Sequence, residues 1–348
     1  MDSVDLDNSE EINSEDETTS VVFVKASAAD FEPEVSDEND DEFSVGKKVS
    51  RERIKPIINK HVMDYMFVKT DKYDYKSWDK AFPDKKVLLR SLLTNEHWDD
   101  FMDTVDNTKE TIIRGIEKRL GEFLLAGNMT IVPRAELVFS AFNTCSPEDI
   151  QVVIIGQDPY PGAQKIGTRM IPDATGLSFS GPVGLPVPLS CKNIFNNLIK
   201  YKHMTSYPKD GSLGLWAMQG VFMINAALTN FYTEKGAHTG LWQKFTEKLI
   251  AYLNTECKNI VFMVWGASAH KLCKILNEDN HCIITSSHPS PLSFMKEMTG
   301  GSYVTKKKQL GGANASKTYP PFESVDHFGK ANAYLKSVNK TPIIWDLN

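Results

Sequence analysis

The stretch QVVIIGQDPYPG, residues 151–162, sets four β-branched residues, Val152 to Ile155, against a glycine and then a polar loop. A short apolar run without alternation, stopped by turn-forming residues, reads as a strand buried on both faces. A strand is therefore predicted over Gln151 to Ile155, ending at Gly156, with Gln157 and Asp158 leaving its carboxyl end.

The same pattern recurs three times downstream. Val221 to Ile224 stops at Asn225, Ile260 to Val264 stops at Trp265 and Gly266, and Cys282 to Thr285 runs into Ser286, Ser287, His288 and Pro289. Helical spacing lies between these runs. One helix follows the cap candidate Ser190, with Ile194, Leu198 and Tyr201 in phase; a second covers Leu241 to Leu253, and a third covers Ser268 to Leu276. Strands alternating with helices predict an α/β fold on a mostly parallel, four-stranded sheet.

In open sheets of this kind the ligand lies beyond the carboxyl ends of the strands. The loops leaving those ends offer Gln157 and Asp158, Asn225, Gly266 and Ala267, and His288: an acid, an amide, a tight backbone turn and an imidazole. Such a set suits acid–base or electrostatic catalysis on a polar ring or carbonyl, with neither metal-ligand spacing nor a phosphate-binding glycine loop. By itself it names no substrate. Each residue also has a plainer reading, since Asp before Pro and Asn after a strand are common in turns, and a lone His is commonly structural.

With 348 residues, 41% of them hydrophobic, the chain can bury at least one full core. No apolar window approaches the roughly 18 residues of a membrane span, and no basic leader precedes an apolar run, so an intracellular protein is expected. The five cysteines are scattered singly and are expected to be reduced thiols rather than zinc or cluster ligands. The net charge of −6 is unevenly distributed. Residues 1–45 hold 16 Asp and Glu against Lys25 alone, a net −15, which leaves +9 on the remainder. The acidic run predicts a disordered tail over 1–45, read as a solvating appendage, an arm for repair or replication proteins, or an internal mimic of nucleic acid. Residues 46–86 read as a linker or an added helical segment, and 87–348 as one folded domain.

The segment Gly156-Gln157-Asp158-Pro159-Tyr160, with His288-Pro289-Ser290-Pro291-Leu292-Ser293, resembles the two signature loops of the family 1 uracil-DNA glycosylases. Between them GLSFS (176–180), PVPLS (186–190) and GVFMINA (220–226) appear in the family's order, and the resemblance runs from about Leu120 to Asp346. Several motifs in order are far more specific than one. The resemblance implies a single three-layer α/β/α domain that hydrolyses the bond between uracil and deoxyribose in DNA. It would start base-excision repair as a monomer without cofactor or metal, in a nucleus or a viral replication compartment. The alternative is a DNA-binding replication accessory protein on the same fold with weak or lost catalysis.

Stacking hides that bond in a duplex, so the nucleotide must swing out into a pocket. Carried over residue by residue, the resemblance makes Asp158 the water-activating carboxylate and His288 the neutral donor to the base's O2. Asn225 would read the uracil edge, Tyr160 would exclude a methyl at C5, Phe179 would stack on the ring, and Gln157 would contact it partly through backbone. Leu292 would fill the gap in the duplex. Ser190, Ser290 and Ser293 would hold phosphates, Pro186 and Pro188 would stiffen one loop, and Gly266 and Ala267 would lie along the DNA backbone.

The sequence departs from the family's pattern in four places. Pro161 stands where most members have histidine, and Ala267 replaces a serine. Extra residues fall at about 163–175, with Lys165 and Arg169, and at about 294–326, with Lys306, Lys307 and Lys308. The second insertion reads either as a DNA-contacting flap or as a surface loop.

Overall fold

The four apolar runs form one sheet, and it is wholly parallel. The computed structural model describes residues 76–299 and 318–348. In chain order its elements are α1 (Trp78–Ala81), α2 (Asp99–Val105), α3 (Ile112–Ala126), β1 (Ile131–Val132), α4 (Ser140–Thr144), β2 (Val152–Gly156), β3 (Ala163–Ile166), β4 (Arg169–Pro172), α5 (Leu189–Lys200), α6 (Gly214–Ala217), β5 (Val221–Asn225), β6 (Asn230–Phe231), α7 (Thr239–Glu256), β7 (Val261–Trp265), α8 (Gly266–Leu272), β8 (Cys282–Ser286), β9 (Met298–Thr299), β10 (Thr318–Tyr319) and α9 (His327–Ser337).

The sheet order is β5-β2-β7-β8, so the chain leaves β2 toward one edge and then crosses to the other side. That reversal puts a crevice at the carboxyl end of β2, where open sheets bind ligands. Register aligns Val152 with both Val221 and Val261, so residues 152, 154 and 156 share a face with 221, 223 and 225 and with 261, 263 and 265. Trp265, on that face, meets Phe322 edge-on at 5.0 Å and Phe328 at 6.3 Å. On the opposite face Phe222 stacks on Trp98 at 5.2 Å and meets Phe142 edge-on at 5.3 Å. Apolar side chains on both faces are why β2, β5 and β7 are buried throughout, and why their sequences do not alternate.

The long helix α7 buries Trp242, Phe245, Leu249, Ile250 and Leu253, a stripe at helical spacing. Each such side chain contributes about 1.5–3 kcal/mol on burial. Phe245 meets Phe101 of α2 edge-on at 5.3 Å, so a charge at Phe245 would break the helical layer from inside.

Several boundaries differ from those expected. Each strand runs one residue further, to Gly156, Asn225, Trp265 and Ser286. Ser190 does not cap α5: the cap is Pro188, whose carbonyl accepts from Lys192 N at 2.9 Å, and Ser190 is the second helical residue. The proline ring already holds φ at −61°, which suits the residue entering a helix without a side-chain cap. The core also extends before Val87, because Trp78 and Phe82 are buried in it and Trp78 Nε1 donates to Pro133 O at 2.8 Å.

The insertion at 163–175 forms the antiparallel hairpin β3–β4. The described ends of the 294–326 insertion pair as β9–β10, and Ser287 N donates to Pro320 O at 2.9 Å. The middle of that insertion with Lys306, Lys307 and Lys308, the acidic tail over 1–45, and the 46–86 segment before residue 76 lie outside the described residues. The five cysteines form no disulfide, and no described helix is long and apolar enough to cross a membrane.

Candidate active site

Gly156 and Asn225 are register partners at the ends of β2 and β5. A Cβ on Gly156 would lie 2.2 Å from Asn225 Oδ1 and 2.9 Å from Ser178 Cβ, so only glycine lets the asparagine side chain lie across the strand end. Asn225 is buried, yet its side-chain amide makes no hydrogen bond among the described residues. Such an amide is free to pair with a ligand that presents both a donor and an acceptor.

Asp158, two residues past β2, is half-buried. Its Oδ2 accepts from Asn230 Nδ2 at 2.7 Å and from Gly236 N at 2.6 Å, while Oδ1 makes no hydrogen bond among the described residues. Burial raises the pKa of this carboxyl; the Gly236 N–H, the charge of Lys235 and the Asn230 amide oppose that rise.

His288 follows β8. Gly266, with φ at +82°, makes room for it: a Cβ there would come within 2.8 Å of His288 Cβ. Ser290 N donates to His288 Nδ1 at 3.0 Å, so Nδ1 is the acceptor and the proton of the neutral ring sits on Nε2. Burial, aided by the charge of Lys235, lowers the imidazole pKa to about 4. At pH 7 this side chain is a neutral donor.

The aromatic wall is built beside them. Phe179 takes φ of +63°, a region non-glycine residues seldom adopt, and its ring lies 5.5 Å from that of His288 and 5.6 Å from that of Trp265. Tyr160 Oη donates to Phe179 O at 3.3 Å, which joins the loop after β2 to this strained residue. Gln157 exposes its side chain, and its carbonyl accepts from Ala227 N at 3.0 Å.

The residues expected along DNA form the rim. Asn193 Nδ2 on α5 donates to Pro289 O at 2.8 Å, which ties the helix that begins after Pro188 to the His288 loop. The hydroxyl of Ser190, three residues before Asn193, makes no hydrogen bond among the described residues. Ser293 Oγ donates to His288 O at 3.0 Å, and Ser290 Oγ meets Ser293 Oγ at 2.9 Å, so these two hydroxyls shape their own loop. Ala267 is exposed beside buried Gly266, and Leu292 is 81% exposed at the tip of its loop.

Sequence reasoning missed Asn230, Lys235 and Gly236. They lie 72 to 78 positions from Asp158, in a segment without a recognisable motif, and only the docking of the turn after β6 brings them to it. The carbonyl of Pro161 takes part in that docking by accepting from Thr233 N at 2.8 Å.

A family profile described as "Uracil DNA glycosylase superfamily" matches residues 142–310. The chain is 45% identical over 289 residues to a "Probable uracil-DNA glycosylase" of Acanthamoeba polyphaga mimivirus, covering 83% of this chain and 75% of that one. It is 32% identical over 274 residues to the "Uracil-DNA glycosylase" of Equine herpesvirus 2 (strain 86/87), covering 78% of this chain and 96% of that one. The crystal structure of mimivirus uracil-DNA glycosylase superposes with a TM-score of 0.76 at 45% identity, covering 83% of this chain and 100% of the other.

Proposed function

Because this chain belongs to the uracil-DNA glycosylase superfamily, we propose that it swings uracil out of DNA and hydrolyses the N-glycosidic bond, leaving an abasic site for base-excision repair. The observation that carries this reading is the buried, unpartnered amide of Asn225 beside a His288 fixed as an Nε2–H donor. The Watson–Crick edge of uracil offers an acceptor and a donor to such an amide, and cytosine presents the opposite polarity.

In this reading uracil stacks on Phe179 with C5 against Tyr160, whose ring leaves no room for a methyl. As the bond between N1 and C1′ breaks, negative charge gathers on O2 and positive charge on the sugar. His288 Nε2–H stabilises the first charge, and the Asp158 carboxylate the second. Water, hydrogen-bonded to Asp158 Oδ1, adds its oxygen to C1′; its hydroxyl stays on the sugar, and its other proton balances the departing uracil anion. A neutral imidazole serves here because an imidazolium would oppose the cationic sugar.

Leu292 would enter the stack where the nucleotide has left, as apolar wedges do. Ser190 and the first N–H groups of α5 are oriented to receive a phosphate, with the loops of Gly266–Ala267 and Ser290–Ser293 along the same strand. The +9 charge after residue 45 supplies attraction that is independent of sequence. We further infer a monomer acting in a nucleus or viral replication compartment, with the acidic tail as an arm for repair or replication proteins.

The test is release of free uracil from an oligonucleotide with one deoxyuridine, in chelator, beside a thymine control and the Asp158→Asn variant. Release that ignores chelator, spares thymine and falls sharply in the variant is expected. DNA binding without release would reject the catalytic reading.

A further inference from the structure

Asn230 is fully buried, and both ends of its amide are committed. Its Oδ1 accepts from Ala237 N at 3.1 Å, so its Nδ2 is turned toward Asp158 Oδ2, 2.7 Å away. The backbone is held as firmly: Asn230 pairs with Val132 in the β6–β1 ladder. Its neighbour Thr229 accepts from Trp242 Nε1 at 2.7 Å and meets His238 Nδ1 at 2.8 Å. A flipped amide would lose both bonds, turning its NH2 toward the Ala237 N–H and its oxygen toward the Asp158 carboxylate, at a cost comparable to lost hydrogen bonds.

We propose that Asn230 is the positioning residue for Asp158: with Gly236 N it occupies Oδ2, and so leaves Oδ1 as the single oxygen presented to water and sugar. The inference rests on Asp158 being the water-activating carboxylate. A carboxylate free to rotate would offer either oxygen, and the attacking water would lack a fixed origin. Two donors on Oδ2 also favour the ionised form in a half-buried place. Among the described residues the charge that acts on Asp158 is that of Lys235, in the exposed turn before Gly236. His288, on the loop after β8, is half-charged near pH 4 and neutral well above it. Pro161 has no side-chain donor, and among the described residues Asn230 makes the one side-chain hydrogen bond to Asp158.

The test is the pH profile of kcat/KM for uracil release from a single-stranded oligonucleotide, using the full chain as wild type, N230L, N230D, D158N and D158N/N230L. N230L is expected to lose about 10- to 100-fold, the size of one hydrogen bond to a charged group. Its acid limb should move to higher pH, and adding it to D158N should cost nothing further. N230D keeps the shape of the side chain but sets a second carboxylate against the first, and its acid limb should also move to higher pH. Should N230L fail to fold, as judged by its melting transition, the acid limb of N230D decides alone. An unmoved acid limb, or an equal loss from N230L in the D158N background, overturns the inference while leaving Asp158 in its role. Wild-type rates in D158N would instead remove the Asp158 assignment and the inference together.

Discussion

Asn225 lies across Gly156: the two are register partners, and the asparagine Oδ1 fills the space where any side chain at 156 would begin. The last residue of β2 thus sets where the Asn225 amide sits. A Cβ at this position is opposed on two sides, by Asn225 Oδ1 and by Ser178 Cβ, whose residue is itself fixed by Ser178 Oγ donating to Ile154 O at 3.2 Å.

Gly156→Ala is therefore expected to displace Asn225 and to lower kcat/KM for uracil release by about 100-fold, the loss that about 2.7 kcal/mol of misplaced hydrogen bonding gives. Steady-state kinetics beside a melting curve checks this. A variant that melts lower yet cleaves at the wild-type rate would show that the amide is not set by this contact.

Lys235→Ala should raise the pKa of both Asp158 and His288, because the lysine charge lowers both. With either group protonated the proposed charge distribution is lost. The acid limb of the pH–rate profile is thus expected to move to higher pH, with the rate above pH 8 affected least. A profile that superposes on wild type would place the ammonium too far out in solvent to matter.

Leu292→Ala should separate strand opening from chemistry. The side chain is 81% exposed, so its loss should change stability by no more than about 0.5 kcal/mol. Uracil release from a duplex is expected to fall severalfold more than release from a single strand, where no neighbouring base must be unstacked. Equal losses on the two substrates would argue against a wedge.

Buried histidines make the fold sensitive to acid. His327 accepts from Trp265 Nε1 at 3.2 Å through Nδ1, and burial lowers its pKa to about 3; burial and Arg119 lower that of His238 to about 4. These groups stay neutral in the folded chain while the unfolded chain takes up protons below about pH 6.5. Their stability contribution is thus complete above pH 6.5 and is lost as pH falls toward 4, by about 1.4 kcal/mol per pH unit for each histidine. Urea midpoints at pH 7, 6 and 5 should fall in that order, and His327→Gln should flatten the slope. An unchanged slope in that variant would remove His327 from the account.

Local residue pattern is enough to specify the sheet and to place Asp158, Asn225 and His288 at or just beyond its strand ends. Runs such as Val152–Ile155 and Val261–Val264 are too short and too apolar for a surface helix, and the polar residues at their ends fall at one edge once the strands are parallel. Asp158, Asn225 and His288 were legible for that reason, and the motifs around them indicated the family. Tertiary structure alone decided which atoms of those residues remain available. Asn230 reaches Asp158 across 72 positions, Ser290 N sets the tautomer of His288, and Pro188 takes the cap that Ser190 was expected to supply. The physical reason is one of range. Hydrophobic periodicity is a local property read along the chain, whereas a hydrogen bond needs two atoms within about 3 Å in a fixed direction, and only the packed fold brings distant segments to that precision.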